Sequence, residues 1–85
     1  MGNRHAQFPD EIYLLHILHN IGAIDPGRAL ALEEIARWAS MEPRRAEENL
    51  NKLIGEGYAE IKVVSGAKRY YVTANGIRKV LSIYS

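Results

Sequence analysis

The sequence predicts an α+β fold, and three observations carry that expectation. Three stretches before residue 55 space their apolar residues as helices do, two β-prone runs flank the turn "SGAK", and one more helical stretch closes the chain. The element order is therefore helix, helix, turn, helix, two-stranded hairpin, helix. With 85 residues there is room for one domain and one modest core, expected over 9–85 behind a flexible arm at 1–8.

The arm mixes Gly, Asn, Arg, His and Gln without a period. Pro9 suits a first helical turn, and Asp10 and Glu11 complement the positive end of the helix dipole, so a helix is expected over 9–21 with Gly22 as its stop. At about 100° per residue, Leu14, Leu15, Ile17, Leu18 and Ile21 share its inner face. His16, His19, Asn20, Ile12 and Tyr13 fall opposite, which leaves Ile12 and Tyr13 as apolar surface. "IDPGRA" reads as a loop from its Asp-Pro-Gly turn signal. "LEEIARWAS" forms a second helix over 32–40, with Leu32, Ile35, Ala36 and Ala39 along one side.

A third helix starts at Pro43, with Glu42 at its mouth, and runs to about residue 54. Ala46, Leu50, Leu53 and Ile54 face inward; Arg44, Arg45, Glu48, Asn51 and Lys52 face outward, with Glu47 and Asn49 on the flanks. Two short helices across a tight turn make a helix-turn-helix unit. "GEGY" supplies glycines suited to a left-handed helix end. The period then changes to two: Ala59, Ile61 and Val63 alternate with Glu60, Lys62 and Val64, and "RYYVT" answers them across the turn. Thr73 is an N-cap candidate for a last helix over 74–84, whose Ile77, Val80, Leu81 and Tyr84 share a face.

Composition narrows the function. Hydrophobic residues are 47% and charged residues 25%, ordinary for a folded protein. No segment approaches ~20 consecutive apolar residues, so neither a membrane span nor a secretory signal is expected. The lack of cysteine excludes disulfides, thiol catalysis and a zinc finger. The expected location is cytoplasmic, with nucleoid association if the chain is prokaryotic. The net charge of +1 hides an asymmetry: residues 1–60 hold ten acids and six bases, a balance of −4, whereas 61–85 hold five bases and no acid, a balance of +5. A polyanion would be drawn to the C-terminal third.

"LEEIARWASMEPRRAEENLNKLIGEGYAEI" and "RYYVTANGIRKVL" carry a resemblance. Leu32, Ile35 and Ala36, then Leu50, Leu53, Gly57 and Tyr58, then Tyr70, Thr73 and Gly76 match the order and spacing of the winged helix-turn-helix domain of small bacterial and archaeal transcriptional regulators. The match covers about 32–81. The resemblance implies a third helix in the major groove of double-stranded DNA and a wing against the backbone. Carried over by position, it implies DNA contacts from Arg44, Arg45, Glu48, Asn49 and Lys52 on the helix, from Lys68 and Arg69 on the wing, and from Arg37 on the second helix. The side-chain types suit base readout, since Arg pairs with guanine, Asn with adenine, and Glu accepts from cytosine. Glu47 and Glu48 work against phosphate, although Glu48 stands four residues from both Arg44 and Lys52 and can orient them.

Two further readings concern partners. Trp38 projects off the inner face of its helix, where it either covers the edge of the core or anchors a partner, and Ile12, Tyr13 and Tyr84 offer a surface for a homodimer through the first and last helices. The alternative to DNA binding is therefore a winged-helix module for protein-protein interaction. His16 and His19 are spaced as metal ligands can be, but only His5 or carboxylates could complete a set, and no metal or other cofactor is expected. No Walker-type glycine loop or nucleophile elbow occurs, so the chain reads as a non-enzyme.

Overall fold

The computed structural model describes residues 8–84, at Tyr84 for the backbone alone. The arm at 1–7, His5 included, and the side chain of Tyr84 lie outside the described residues.

Helix α1 spans Asp10–Asn20, with Pro9 as its N-cap and Asp10 and Glu11 in the first turn. Gly22 ends it at a φ of +86°, where a side chain would be strained. Ile12, Leu14, Leu15 and Leu18 are all buried, so the expected outward exposure of Ile12 is corrected. The reason is tertiary: α2, α3, α4 and the sheet all pack on α1, so its apolar face is wider than one stripe.

After α1, the segment expected as plain loop contains a 3-10 turn, Pro26–Arg28, capped by the Asp25 carboxylate, which accepts from the Arg28 backbone N–H at 3.1 Å. The short strand β1, Leu30–Ala31, follows and leads directly into α2, Leu32–Ala39. Ala31 donates its backbone N–H to Glu34 Oε1 at 3.2 Å, which makes half of a capping box. Ser40 closes α2 at a φ of +55°. Helix α3, Pro43–Gly55, then starts with proline in its first turn, where no backbone donor is lost.

Strands β2, Ala59–Val64, and β3, Ala67–Val72, form an antiparallel hairpin. Ser65 and Gly66 connect them with φ of +52° and +80°, the two positive values that a tight hairpin turn of matching twist requires. β1 pairs with the other edge of β3, Leu30 opposite Tyr70 and Ala31 opposite Arg69, so the sheet order is β1-β3-β2. Helix α4, Ala74–Tyr84, packs back on α1 and β3.

Leu14, Leu15 and Leu18 meet Ile35, Leu50, Leu53, Tyr70, Val72 and Val80 in one buried cluster. Only the base of the hairpin joins it. Ala59, Tyr70 and Val72 are buried on the inner sheet face, but every residue of β2 beyond Ala59 is exposed, Val63 to 63%. The alternation read in β2 is real, yet the hairpin outruns the helices that would cover it.

Candidate nucleic-acid interface

The exposed side of α3 is built from residues four apart. Arg44, Glu48 and Lys52 are exposed and recur about once per turn, giving a stripe of plus, minus and plus, with Asn51 exposed beside it. Two residues expected in that stripe are elsewhere. Asn49 is only 4% exposed, and its Nδ2 donates to the Arg45 carbonyl at 3.0 Å. It lies three residues from Ala46 and four from Leu53, both fully buried, so the helix turns it inward; its expected DNA contact is corrected. Arg45 is exposed but committed to α1: its Nε donates to Asp10 Oδ2 at 3.0 Å and its Nη2 to the same oxygen. That hydrogen bond and the Asp10 charge raise the Arg45 pKa further. Arg45 therefore clamps the start of α3 to the start of α1 instead of standing free.

The hairpin divides its charges between two faces. Successive strand residues alternate, so Lys68 lies on the same face as Tyr70 and Val72, toward α3, while Arg69 lies on the reverse. Lys68 and Arg69 therefore present their charges on opposite faces of the wing. Lys68 lines a groove of about 360 Å³ with Glu33, Glu47, Leu32 and Tyr70, where α3 and the hairpin approach each other. Two carboxylates face one ammonium there. Burial first, then the charges of Glu47 and Glu33, push the Tyr70 phenol above its usual value. Arg69, half-buried, donates to the Ala29 carbonyl at 3.4 Å. Lys62 sits directly opposite it and donates to the Pro26 carbonyl at 3.5 Å. Lys62 was not among the expected site residues, although counting outward from the two-residue turn places it against Arg69.

Of the remaining expected residues, Arg37 is exposed on α2 and Trp38 is 61% exposed beside it. Tyr13 is half-buried and lines a second groove, about 350 Å³, with Asp10, Ala39, Ser40, Met41 and Arg45. His16 is tied to its own helix: its Nδ1 contacts the Ile12 carbonyl at 3.0 Å, and its ring lies 5.5 Å from that of Phe8. Among the described residues no group of three or more His, Asp or Glu could hold a metal ion. No helix among them is long and apolar enough to cross a membrane.

No protein-family model and no curated protein matches the sequence. Solved structures do. A MarR family transcriptional regulator from Silicibacter pomeroyi aligns over 88% of this chain with a TM-score of 0.72 at 24% identity. The DNA-binding TubR fragment from Clostridium botulinum aligns over 98% of this chain and 99% of its own, with a TM-score of 0.78 at 19% identity. The fold is a winged helix-turn-helix. A MepR variant from S. aureus agrees, with a TM-score of 0.75 over 95% of this chain and 61% of its own, at 16% identity. The chain spans about half the length of the MarR family regulator, 48%.

In this winged helix-turn-helix, α2 and α3 are the two helices of the motif and the β2-β3 hairpin is the wing. Its closing residues Tyr70, Thr73 and Gly76 hold the fold together. Tyr70 is buried in the core. Thr73 Oγ1 donates to the Gly57 carbonyl at 2.6 Å and accepts from the Gly76 backbone N–H at 3.1 Å, which caps α4 and ties it to the turn before the wing. Gly76 packs so closely on the Tyr58 carbonyl and Val72 that a β-carbon would collide with both.

Proposed function

We propose that the chain is a sequence-specific double-stranded DNA-binding protein that acts as a transcriptional regulator, with α3 in the major groove and the wing along the backbone. The observation that carries this reading is the exposed Arg44-Glu48-Lys52 stripe on α3, beside a groove whose far wall holds Lys68. Arg44 and Lys52 can reach base edges or phosphates, and Glu48 between them can accept from cytosine. Lys68 supplies the phosphate contact on the wing, and Arg37 a second one from α2. The structural resemblance to a MarR family regulator and to a DNA-binding TubR fragment supports the same reading.

A salt titration of binding to duplex DNA tests it. Lys68→Ala is expected to weaken binding to all sequences and to reduce the slope of log K against log salt by about 1. Arg44→Ala is expected to change the sequence preference in a selection from random duplexes. Failure to bind duplex DNA at low ionic strength would overturn the proposal.

One observation favours a protein partner instead. Trp38, at 61% exposure, is the largest apolar side chain standing in solvent among the described residues. Loss of a captured partner on Trp38→Ala, with Lys68→Ala silent, would select that reading.

A further inference from the structure

Among the described residues, the wing carries an open edge with unusual content. β2 lies at the margin of the sheet, since β3 is bounded by β1 on its other side. Its hydrogen-bonding phase follows from two facts. A two-residue turn makes Val64 and Ala67 a hydrogen-bonded pair, and Val72 donates its N–H away from β2, to the Ala23 carbonyl at 2.8 Å. Even-numbered residues of β2 thus bond to β3, while Ala59, Ile61 and Val63 direct their N–H and C=O groups out of the sheet. The same three residues form the inner face of the strand, where Ile61 is 38% and Val63 is 63% exposed. Glu60 and Lys62 occupy the other face.

We infer that β2 is a docking edge for a second copy of this chain, paired antiparallel about a two-fold axis at Ile61. In that register the outward groups of Ile61 meet those of its equivalent, and Ala59 meets Val63 of the second copy. Glu60 stands opposite Lys62 of the second copy, and the symmetry repeats the pair. Moving the axis one residue along sets Glu60 against Glu60 or Lys62 against Lys62, so the charges choose the register. A lone edge lysine wards off foreign strands. Here its complement lies two residues away on the same face, which makes the edge selective for itself.

The chain's own sheet supplies a reason for the charge pairing. Lys62 stands directly opposite Arg69, a like-charge cross-strand pair, and Glu60 bonds Tyr71 at 2.5 Å on its inner side. Glu60 of the second copy would lie on the free side of Lys62. The contact joins two three-stranded sheets into one of six strands, shelters Ile61 and Val63 against their counterparts, and leaves the turn at Ser65 and Gly66 and the helix α3 untouched. It does not depend on DNA.

Charge exchange tests the proposal in the full chain by sedimentation velocity. The wild type is expected to dimerise reversibly. Lys62→Glu alone and Glu60→Lys alone each convert two attractive contacts into two repulsive ones and are expected to raise the dissociation constant about tenfold or more. The double variant restores the dimer. An equimolar mixture of the two single variants is expected to form the heterodimer, since each opposed pair is then plus against minus. Ile61→Pro, which removes an outward N–H, is expected to leave a folded monomer by circular dichroism. A wild type that stays monomeric up to about 1 mM, or a dimer indifferent to both single exchanges, would overturn the proposal.

Discussion

Thr73→Val isolates the contribution of one hydroxyl to the joint between wing and last helix. The substitution keeps shape and branching while removing the two hydrogen bonds of Oγ1, to the Gly57 carbonyl and from the Gly76 N–H. Loss of an N-cap costs about 1 kcal/mol, and loss of a further hydrogen bond about 1 kcal/mol, so the expected destabilisation is about 2 kcal/mol. For a chain of this size that lowers Tm by about 8–16 °C. The backbone bond from the Thr73 N–H to the Tyr58 carbonyl, 3.0 Å, is retained, so the base of the wing keeps its register. Urea denaturation at 25 °C measures the free energy, and Thr73→Ser, which preserves both bonds, is expected to stay within about 0.5 kcal/mol of wild type. A valine variant equally close to wild type, or a serine variant as unstable as valine, would refute the assignment of the cost to the hydroxyl. Because Thr73 lies outside the α3 stripe, DNA affinity measured below both melting transitions is expected to be unchanged.

Gly76→Ala is expected to cost about 3 kcal/mol or more, read by urea denaturation, because the added carbon meets the Tyr58 backbone rather than a movable side chain. Asn49→Ala is expected to leave the base preference of DNA binding unchanged, with any effect confined to stability, whereas Arg44→Ala shifts the preference; a binding-site selection on both variants separates them. Stability is also expected to fall above pH 10. Burial and the nearby Glu47 and Glu33 raise the Tyr70 phenol above its ordinary 10.0, so the folded chain holds a proton that the unfolded chain releases. That stabilisation is complete below pH 10 and lost as pH climbs through the folded value. Urea midpoints across that range should decline less for Tyr70→Phe, with a residual slope from Tyr71, whose phenol is raised by its bond to Glu60.

Much of the fold was legible because α2 and α3 each bury one stripe; α4 does so less fully, since Leu81, expected on its inner face, is 54% exposed beside the buried Val80. The periods of α2 and α3 identify Leu32, Ile35, Ala36, Ala39, Ala46, Leu50, Leu53 and Ile54 as inward; all are buried except Leu32 and Ile54, which are partly buried against the core. Ile12 was misplaced because periodicity finds one face, whereas α1 is covered from several sides. β1 has no signal in the sequence because two residues have no period; Leu30 and Ala31 are a strand only because Tyr70 and Arg69 are there to pair with them. The candidate site was less legible, for two reasons. A polar residue suggests exposure, yet Asn49 satisfies its amide on the Arg45 carbonyl and can be buried. Adjacent charges suggest a cluster, yet in a strand Lys68 and Arg69 are as far apart as neighbours can point. That Arg45 answers Asp10, thirty-five positions earlier, is a tertiary fact that no local spacing carries.

The reach of the wing beyond the core has an evolutionary consequence. Residues from Ile61 to Lys68 are all exposed and none belongs to the buried cluster, so their replacement costs the core little. Amide exchange there is expected to proceed by local opening, well below the free energy of whole-chain unfolding. Selection on this segment can therefore act on what it meets in the cell, with little penalty for folding. A lineage could change partners by rewriting eight residues and inherit the rest.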